Sequence, residues 1–159
     1  MKGSEKVIEQ LALLLRNELA ARDQYFAHGR MYQDWGLHKL YERLDHEMQE
    51  EIQHADAIIQ RMLFLEAQPD LSDLADINVG STVPDMMQND LDFEYRVTAA
   101  LREAIAVCEA EGDYQTRQVL LPILHDTEED HAHWLEQQLG LIDKIGLPNY
   151  LQAQIGSPS

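Results

Sequence analysis

The sequence predicts an all-α protein built as a four-helix bundle, with a long crossover between the second and third helices and a short fifth helix. Apolar residues recur at spacings of three and four over long stretches, which is the period of an amphipathic helix. The 159 residues include eight glycines and five prolines, and most of these fall at a few places. A chain of this length suits one domain, so we expect residues 1–159 to form a single unit.

The apolar spacing defines the first two helices. Helix A is predicted over about residues 4–34, with Ser4 as its N-cap. The pattern breaks at Trp35 and Gly36 and then resumes, which predicts helix B over about residues 37–66. Two long helices joined by so short a break are expected to run antiparallel.

The rest of the chain divides in the same way. Residues 67–82 lack helical period and are longer than an antiparallel turn requires, which predicts a crossover. Helix C is predicted over about 83–111 and helix D over about 113–139, with a kink at Pro122 and with Gly140 or Gly146 as the residue that ends helix D. A short amphipathic stretch predicts helix E over about 147–155.

The charge of the chain excludes several kinds of partner. Twelve Lys and Arg against 29 Asp and Glu give a net charge of −17, which repels nucleic acids and anionic membranes and attracts cations. The only cysteine, Cys108, permits neither an internal disulfide nor a thiolate metal cluster. The sequence shows no secretory signal and no membrane-spanning run, so we expect a cytoplasmic protein.

Charged residues interrupt the apolar stripe of each long helix near its middle, where a bundle normally has leucine. Helices A and C each place one glutamate there, and helices B and D each place a Glu-x-x-His pair. Residues three apart share a helix face, so each pair directs a carboxylate and an imidazole to one point. In chain order the six residues are Glu18, Glu51 and His54, Glu94, and Glu128 and His131.

This pattern indicates a site for two metal ions. Four buried carboxylates would repel one another and take up protons, whereas two divalent cations would neutralise a charge of about −4. Oxygen-rich ligation with one imidazole per metal favours iron or manganese, and the lack of thiolates argues against structural zinc. Two Glu-x-x-His pairs with two single glutamates are the established ligand pattern of di-iron carboxylate bundles. The alternative, surface carboxylates, requires the apolar stripe to be mis-phased.

The chain resembles the bacterioferritins over nearly its full length, including the segments NELAARDQYFAH, EEIQHAD and EEDHAHWLE. The resemblance implies a 24-subunit shell that oxidises Fe(II) at an intrasubunit di-iron centre with dioxygen or peroxide and stores a ferric mineral. It makes the six residues above the ferroxidase ligands, with Glu51 and Glu128 bridging both irons and Tyr25 beside them. It also implies a ferredoxin partner for iron release.

Two further assignments follow from the resemblance. His46 and Glu50 fall where the family places an inner-surface iron site, although many members have aspartate at the second position; the alternative is a solvated acidic face. Haem-binding members carry methionine at position 52, where this chain has Ile52, which has no donor atom. We therefore expect no haem in a shell of identical subunits, and Met48, one turn earlier, is assigned to packing.

Three alternatives stay open. The second apolar stripe of helix B, which includes Ile52, Ile59 and Leu63, predicts a subunit dimer, and the shell could be mixed with a haem-binding partner subunit. The site could be structural, with the partner performing the oxidation. A di-iron peroxide scavenger would share the ligands but would need an organic-substrate pocket or an electron-transfer module, and no rubredoxin-like cysteine pair is present.

Overall fold

The computed structural model describes residues 1–157 and confirms the predicted fold class, a bundle of four long helical rods and a short C-terminal helix. Residues 158 and 159 of the predicted domain lie outside the described residues. Among those described, no residue is in a β-strand. The elements are α1 (Glu5–Asp34), α2 (His38–Phe64), α3 (Val83–Ala110), α4 (Tyr114–His125), a π-helical segment (Asp126–Ala132), α5 (His133–Ile145) and α6 (Leu147–Ala153).

The rods pack side by side along most of their length. Helix α1 packs against α2 and α3, while α3 also packs against α4, the π-helical segment and α5. The turn between α1 and α2 contains Gly36 at φ 78°, a left-handed conformation that costs glycine little. A helix of 28 to 30 residues is about 40 Å long, so the middle of each rod is far from both ends of the bundle.

The helix starts use different devices. Thr82 caps α3, since its hydroxyl accepts a hydrogen bond from the backbone N–H of Asp85 at 3.3 Å, and Pro84 lies in the first turn. Ser4 holds the N-cap position of α1 but makes no side-chain cap hydrogen bond. Its hydroxyl instead donates to the Glu111 carboxylate at 2.5 Å, which ties the start of α1 to the end of α3.

The fourth rod differs from the predicted helix D over 113–139. The α-helix continues through Pro122 and changes to π-helical hydrogen bonding over Asp126–Ala132 before it resumes. The rod then passes through Gly140 and ends at Ile145, because Gly146, at φ 80°, leaves the helical conformation. The predicted boundary at residue 139 is therefore wrong, Gly146 rather than Gly140 ends the rod, and the π-helical segment has no counterpart in the prediction.

The interior is mostly apolar, but it also contains buried polar and charged side chains. Each of the four rods buries charged or imidazole side chains between its aliphatic ones. Those that gather near the middle are Glu18, Glu47, Glu51, His54, Glu94 and His131. Among the described residues, no helix is both long enough and apolar enough to cross a membrane.

Candidate metal centre

A first group of buried metal-ligating side chains lies between α1 and α2. Its members are Glu18, Glu51 and His54, and they offer ligand atoms that lie within 4.8 Å of one another. The Nδ1 atom of His54 is 3.4 Å from Oε2 of Glu18 and 3.7 Å from Oε2 of Glu51. Two carboxylates and one ring nitrogen thus converge on a point shielded from solvent.

A second group joins α2, α3 and the π-helical segment. Its members are Glu51, Glu94 and His131, again with ligand atoms within 4.8 Å of one another. The Nδ1 atom of His131 is 3.1 Å from Oε1 of Glu51 and 3.5 Å from Oε1 of Glu94. The two imidazole rings stack loosely, with centroids 6.0 Å apart.

Glu51 belongs to both groups and lies between the two histidines. Its Oε2 atom faces His54 in the first group and its Oε1 atom faces His131 in the second. A carboxylate with one oxygen toward each of two adjacent cation pockets has the arrangement of a bridging ligand. The two groups together therefore form one centre with two sets of atoms that could ligate cations.

The pKa values of the two carboxylates of the first group are shifted in opposite directions. Burial, reinforced by repulsion from Glu51, raises the pKa of Glu18 well above its ordinary value. Burial also acts to raise the pKa of Glu51, but hydrogen bonding to Glu18, His131 and His54 holds it well below the usual range. One carboxylate is thus driven toward protonation while its neighbour stays ionised, as expected when two acids share a site.

Both imidazoles are held in their charged form by these acids. Burial disfavours the His54 imidazolium, yet hydrogen bonds with Glu18 and Glu51 raise the pKa of His54 to about 11. The pKa of His131 is also raised, because four surrounding glutamates outweigh the effect of burial. The protein alone therefore uses protons on the histidines as counter-charges in a place where metal cations would serve instead.

Two buried polar atoms of the centre lack good hydrogen-bond partners, which is a second observation that favours cation binding. Oε1 of Glu18 and Nδ1 of His131 are inaccessible to solvent and form no hydrogen bond of good geometry. Buried polar atoms are rarely left in this state, since each costs about 1–3 kcal/mol. A divalent cation in each group would satisfy them, and oxygen atoms with one nitrogen per ion are donors that Fe(II) and Mn(II) accept.

Glu128, a predicted ligand, lies outside both groups. Its Oε1 atom accepts hydrogen bonds from the Arg102 guanidinium at 2.5 and 3.0 Å, and its side chain is one-third exposed. The π-helical segment explains this position, because its hydrogen bonds join residues five apart. His131 therefore shares a face with Asp126, and the three-residue spacing to Glu128 no longer directs both side chains to one point.

Asp126 and Glu47 are members of the centre that the sequence analysis did not assign. The Asp126 carboxylate accepts a hydrogen bond from Nε2 of His54 at 2.8 Å. Glu47 contacts Nε2 of His131. Glu47 does interrupt the apolar stripe of α2, so the sequence carried a signal for its burial, whereas Asp126 requires the π-helical register.

Tyr25 lies beside the second group of the centre. Its hydroxyl donates a hydrogen bond to Glu94, and its ring meets the His131 ring edge-on at a centroid distance of 6.3 Å. Burial, followed by the charge of Glu94, raises the pKa of Tyr25 well above its ordinary value. Tyr25 thus stays a neutral phenol at neutral pH.

The comparisons with known proteins agree with this geometry. A model of the ferritin-like domain matches residues 8–145. The chain is 67% identical to a bacterial ferritin of Synechocystis sp. over 155 residues, which covers 98% of this chain and 99% of the relative. It is 58% identical to a bacterial ferritin of Pseudomonas aeruginosa over 98% of this chain and 100% of that one.

The chain belongs to the ferritin-like domain family. A bacterioferritin of Brucella melitensis is more distant, at 40% identity over 96% of this chain and 94% of the relative. The centre described above lies entirely within the residues that match the family model.

In this ferritin-like chain the second apolar stripe of α2 lies on the surface. Ile52 is 42% exposed and Leu63 is 58% exposed on α2, while Met48 is nearly buried. Position 52 is thus available to a second subunit, and its side chain has no atom that could ligate haem iron.

His46 and Glu50 form an ion pair on the same helix. Nε2 of His46 is 2.7 Å from Oε1 of Glu50, and Oε2 of Glu50 is 2.6 Å from Nε2 of His131. His46 is largely exposed, so Glu50 connects a surface imidazole to the buried centre.

Proposed function

We propose that this ferritin-like chain is an iron-storage subunit with ferroxidase activity. Its centre takes up two Fe(II) ions as substrate, which are oxidised to Fe(III) by dioxygen or peroxide, and the product is stored as a ferric mineral in a 24-subunit shell. The observation that carries the proposal is the pair of buried ligand groups joined at Glu51. The similarity to the bacterial ferritins supports the choice of iron.

The residues of the centre have distinct roles in this reaction. Glu18 and His54 hold one ion, Glu94 and His131 hold the other, and Glu51 lies between both. Each Fe(II) gives up one electron, so a pair supplies the two electrons that reduce dioxygen, with two protons, to hydrogen peroxide. The chain contributes fixed geometry and negative charge, which favour the more highly charged Fe(III) product.

The weak hold of Arg102 on Glu128 supports Glu128 as a further ligand. The ion pair that holds Glu128 on Arg102 is partly exposed, and such pairs contribute only about 0–1 kcal/mol. Glu128 can therefore exchange Arg102 for the centre at little cost.

The assembly part of the proposal rests on the exposed stripe of α2. Ile52 and Leu63 need a partner surface, and a second copy of the chain supplies one of the same kind. In a shell of identical subunits this interface would hold no haem, because Ile52 offers no ligand atom. A mixed shell with a methionine-bearing partner is the alternative that the exposure of Ile52 also fits.

Stopped-flow measurement of aerobic Fe(II) oxidation by the assembled protein tests the activity. Glu94→Gln and His131→Ala should each slow the fast phase by at least about tenfold, since loss of groups that merely support metal ligands already costs 10- to 100-fold. Glu103→Gln and His133→Ala change exposed residues and should leave the rate unchanged. Wild-type rates in both centre variants would overturn the proposal.

Retention of the product separates storage from peroxide scavenging. After about a hundred Fe(II) ions per shell have been oxidised, iron should co-elute with the large assembly in gel filtration. Iron that leaves the assembly while peroxide is consumed would favour the scavenger.

A further inference from the structure

Beside the two ligand groups of the centre lies a third group of acidic side chains. Its members are Glu47, Glu50, Asp130 and His131, whose ligand atoms also lie within 4.8 Å of one another. The third group shares His131 with the second group but contacts the other ring nitrogen, Nε2. A histidine that binds a metal ion through Nδ1 keeps its proton on Nε2. The ligands that the third group offers to a further cation are therefore its three carboxylates.

The third group differs from the others because a basic side chain already pairs with two of its three carboxylates. Nε of Arg43 lies 2.5 Å from Oε1 of Glu47, and Nη2 donates a hydrogen bond to Oδ1 of Asp130 at 2.7 Å. Among the described residues, no lysine or arginine forms an ion pair with Glu18, Glu51 or Glu94. The fixed positive charge is therefore confined to the third group.

Arg43 is held rigidly in this place. Its guanidinium lies over the Trp134 ring, 4.7 Å from the ring centroid, and the side chain is only one-quarter exposed. An arginine keeps its charge at every pH at which the protein is folded. A rigid cation between two carboxylates repels a second cation and removes two oxygens from use as ligands.

The state of Glu47 shows that the third group would otherwise be suited to bind a cation. Its side chain is 98% buried, and neither carboxylate oxygen forms a hydrogen bond of good geometry, despite the ion-pair contacts to Arg43 and His131. A buried carboxylate in this state is costly unless a cation stands against it. In this chain that cation is supplied by α2 itself, one turn before Glu47.

We propose that Arg43 is a built-in cation that fills the third group and so limits the centre to two metal ions. The inference rests on the proposed di-iron function. It makes Arg43 a residue that determines how many ions the centre takes, although it touches neither of the first two groups.

Anaerobic titration of the assembled protein with Co(II), followed by calorimetry and visible absorption, tests this inference without any turnover. The wild type should bind two Co(II) per subunit at the centre, and Arg43→Gln should bind three. Arg43→Lys keeps the charge and should stay at two. Arg30→Gln is the matched control, since it removes an arginine that pairs with Asp45 away from the centre, and it should also bind two.

The double variant Arg43→Gln with Glu47→Gln should return the number to two, because the third ion loses a ligand. Arg43→Met keeps the packing of the side-chain stem on Trp134 and should also bind three, so a folding defect of Arg43→Gln does not decide the outcome. If the wild type and the folded Arg43→Gln and Arg43→Met variants all bind two ions, this inference is overturned and the proposed di-iron function stands. Fewer than two ions in the wild type would overturn the proposed di-iron function.

Discussion

His54 and His131 are oriented by the same device. Each turns Nδ1 toward Glu51 and presents Nε2 to an outer carboxylate, which is Asp126 for His54 and Glu50 for His131. Carboxylates that hold the far nitrogen of a metal-binding histidine fix the ring and raise its basicity. The outer acids are therefore part of the centre even though they lie behind the ligands.

Replacement of Asp126 tests this orientation at one residue. Asp126→Asn keeps the size of the side chain but removes the charge that holds Nε2 of His54 at 2.8 Å. Anaerobic Co(II) affinity should fall by about 10- to 100-fold. Asp56→Asn, an exposed aspartate of α2, is the control and should have no effect. Equal affinities in all three proteins would contradict the role of Asp126.

Metal binding should release protons from the two histidines. Without metal the pKa of His54 is raised to about 11 and that of His131 is also raised, so both rings are protonated at pH 7. Metal must displace these protons, so affinity should rise with pH and fall as the solution is made more acidic. Calorimetry in buffers of different ionisation enthalpy should detect at least about two protons released per pair of ions, because Glu18 also gives up a proton when it becomes a ligand. An enthalpy that does not depend on the buffer would contradict this expectation.

At the scale of elements, the positions of side chains in the regular α-helices follow from the sequence, whereas those in the π-helical segment do not. The three-and-four spacing that placed Glu18, Glu51, His54 and Glu94 among leucines holds for regular α-helices, and all four are buried as that spacing predicts. The same rule applied to Glu128 assumes an α-helix where residues 126–132 form a π-helix.

The sequence predicts a kink at Pro122, and no residue pattern in it indicates a change from α-helical to π-helical hydrogen bonding. A proline removes one backbone donor, but whether the rod then bends or rewinds depends on packing against α3, which no single helix reveals. For the same reason Asp126, five residues before His131, could not be assigned to the centre.

Glu128 provides the test at this scale. If Glu128 leaves Arg102 and becomes a ligand of the centre, Glu128→Gln should weaken Co(II) binding by at least about tenfold. Arg102→Gln frees the carboxylate from its ion pair and should leave the affinity unchanged or slightly raised. A Glu128→Gln protein that binds Co(II) like the wild type would show that the π-helical segment keeps Glu128 out of the centre.

At the scale of the whole molecule, the net charge of −17 has two parts. The carboxylates of the centre are buried and matched by histidines, while most other acidic side chains remain on the surface, where they attract cations. The exposed apolar residues of α2 form the other large-scale feature, because a single bundle cannot cover both faces of that helix.

Placing a donor atom at position 52 tests whether the exposed face of α2 packs against the same face of a second subunit. Ile52→Met should let the assembled protein bind haem between two subunits, with a Soret band that the wild type lacks after the same incubation. Leu63→Met places methionine at another exposed position of α2 and should not bind haem. Haem uptake by the wild type at the same level would contradict the assignment of Ile52.

The central claim is that the bundle holds two metal ions on either side of Glu51. Crystals of the assembled protein, soaked with Fe(II) without oxygen and measured at the iron absorption edge, test it directly. We expect two anomalous peaks per subunit, one beside Glu18 and His54 and one beside Glu94 and His131. A single peak, or iron only at surface carboxylates, would contradict the claim.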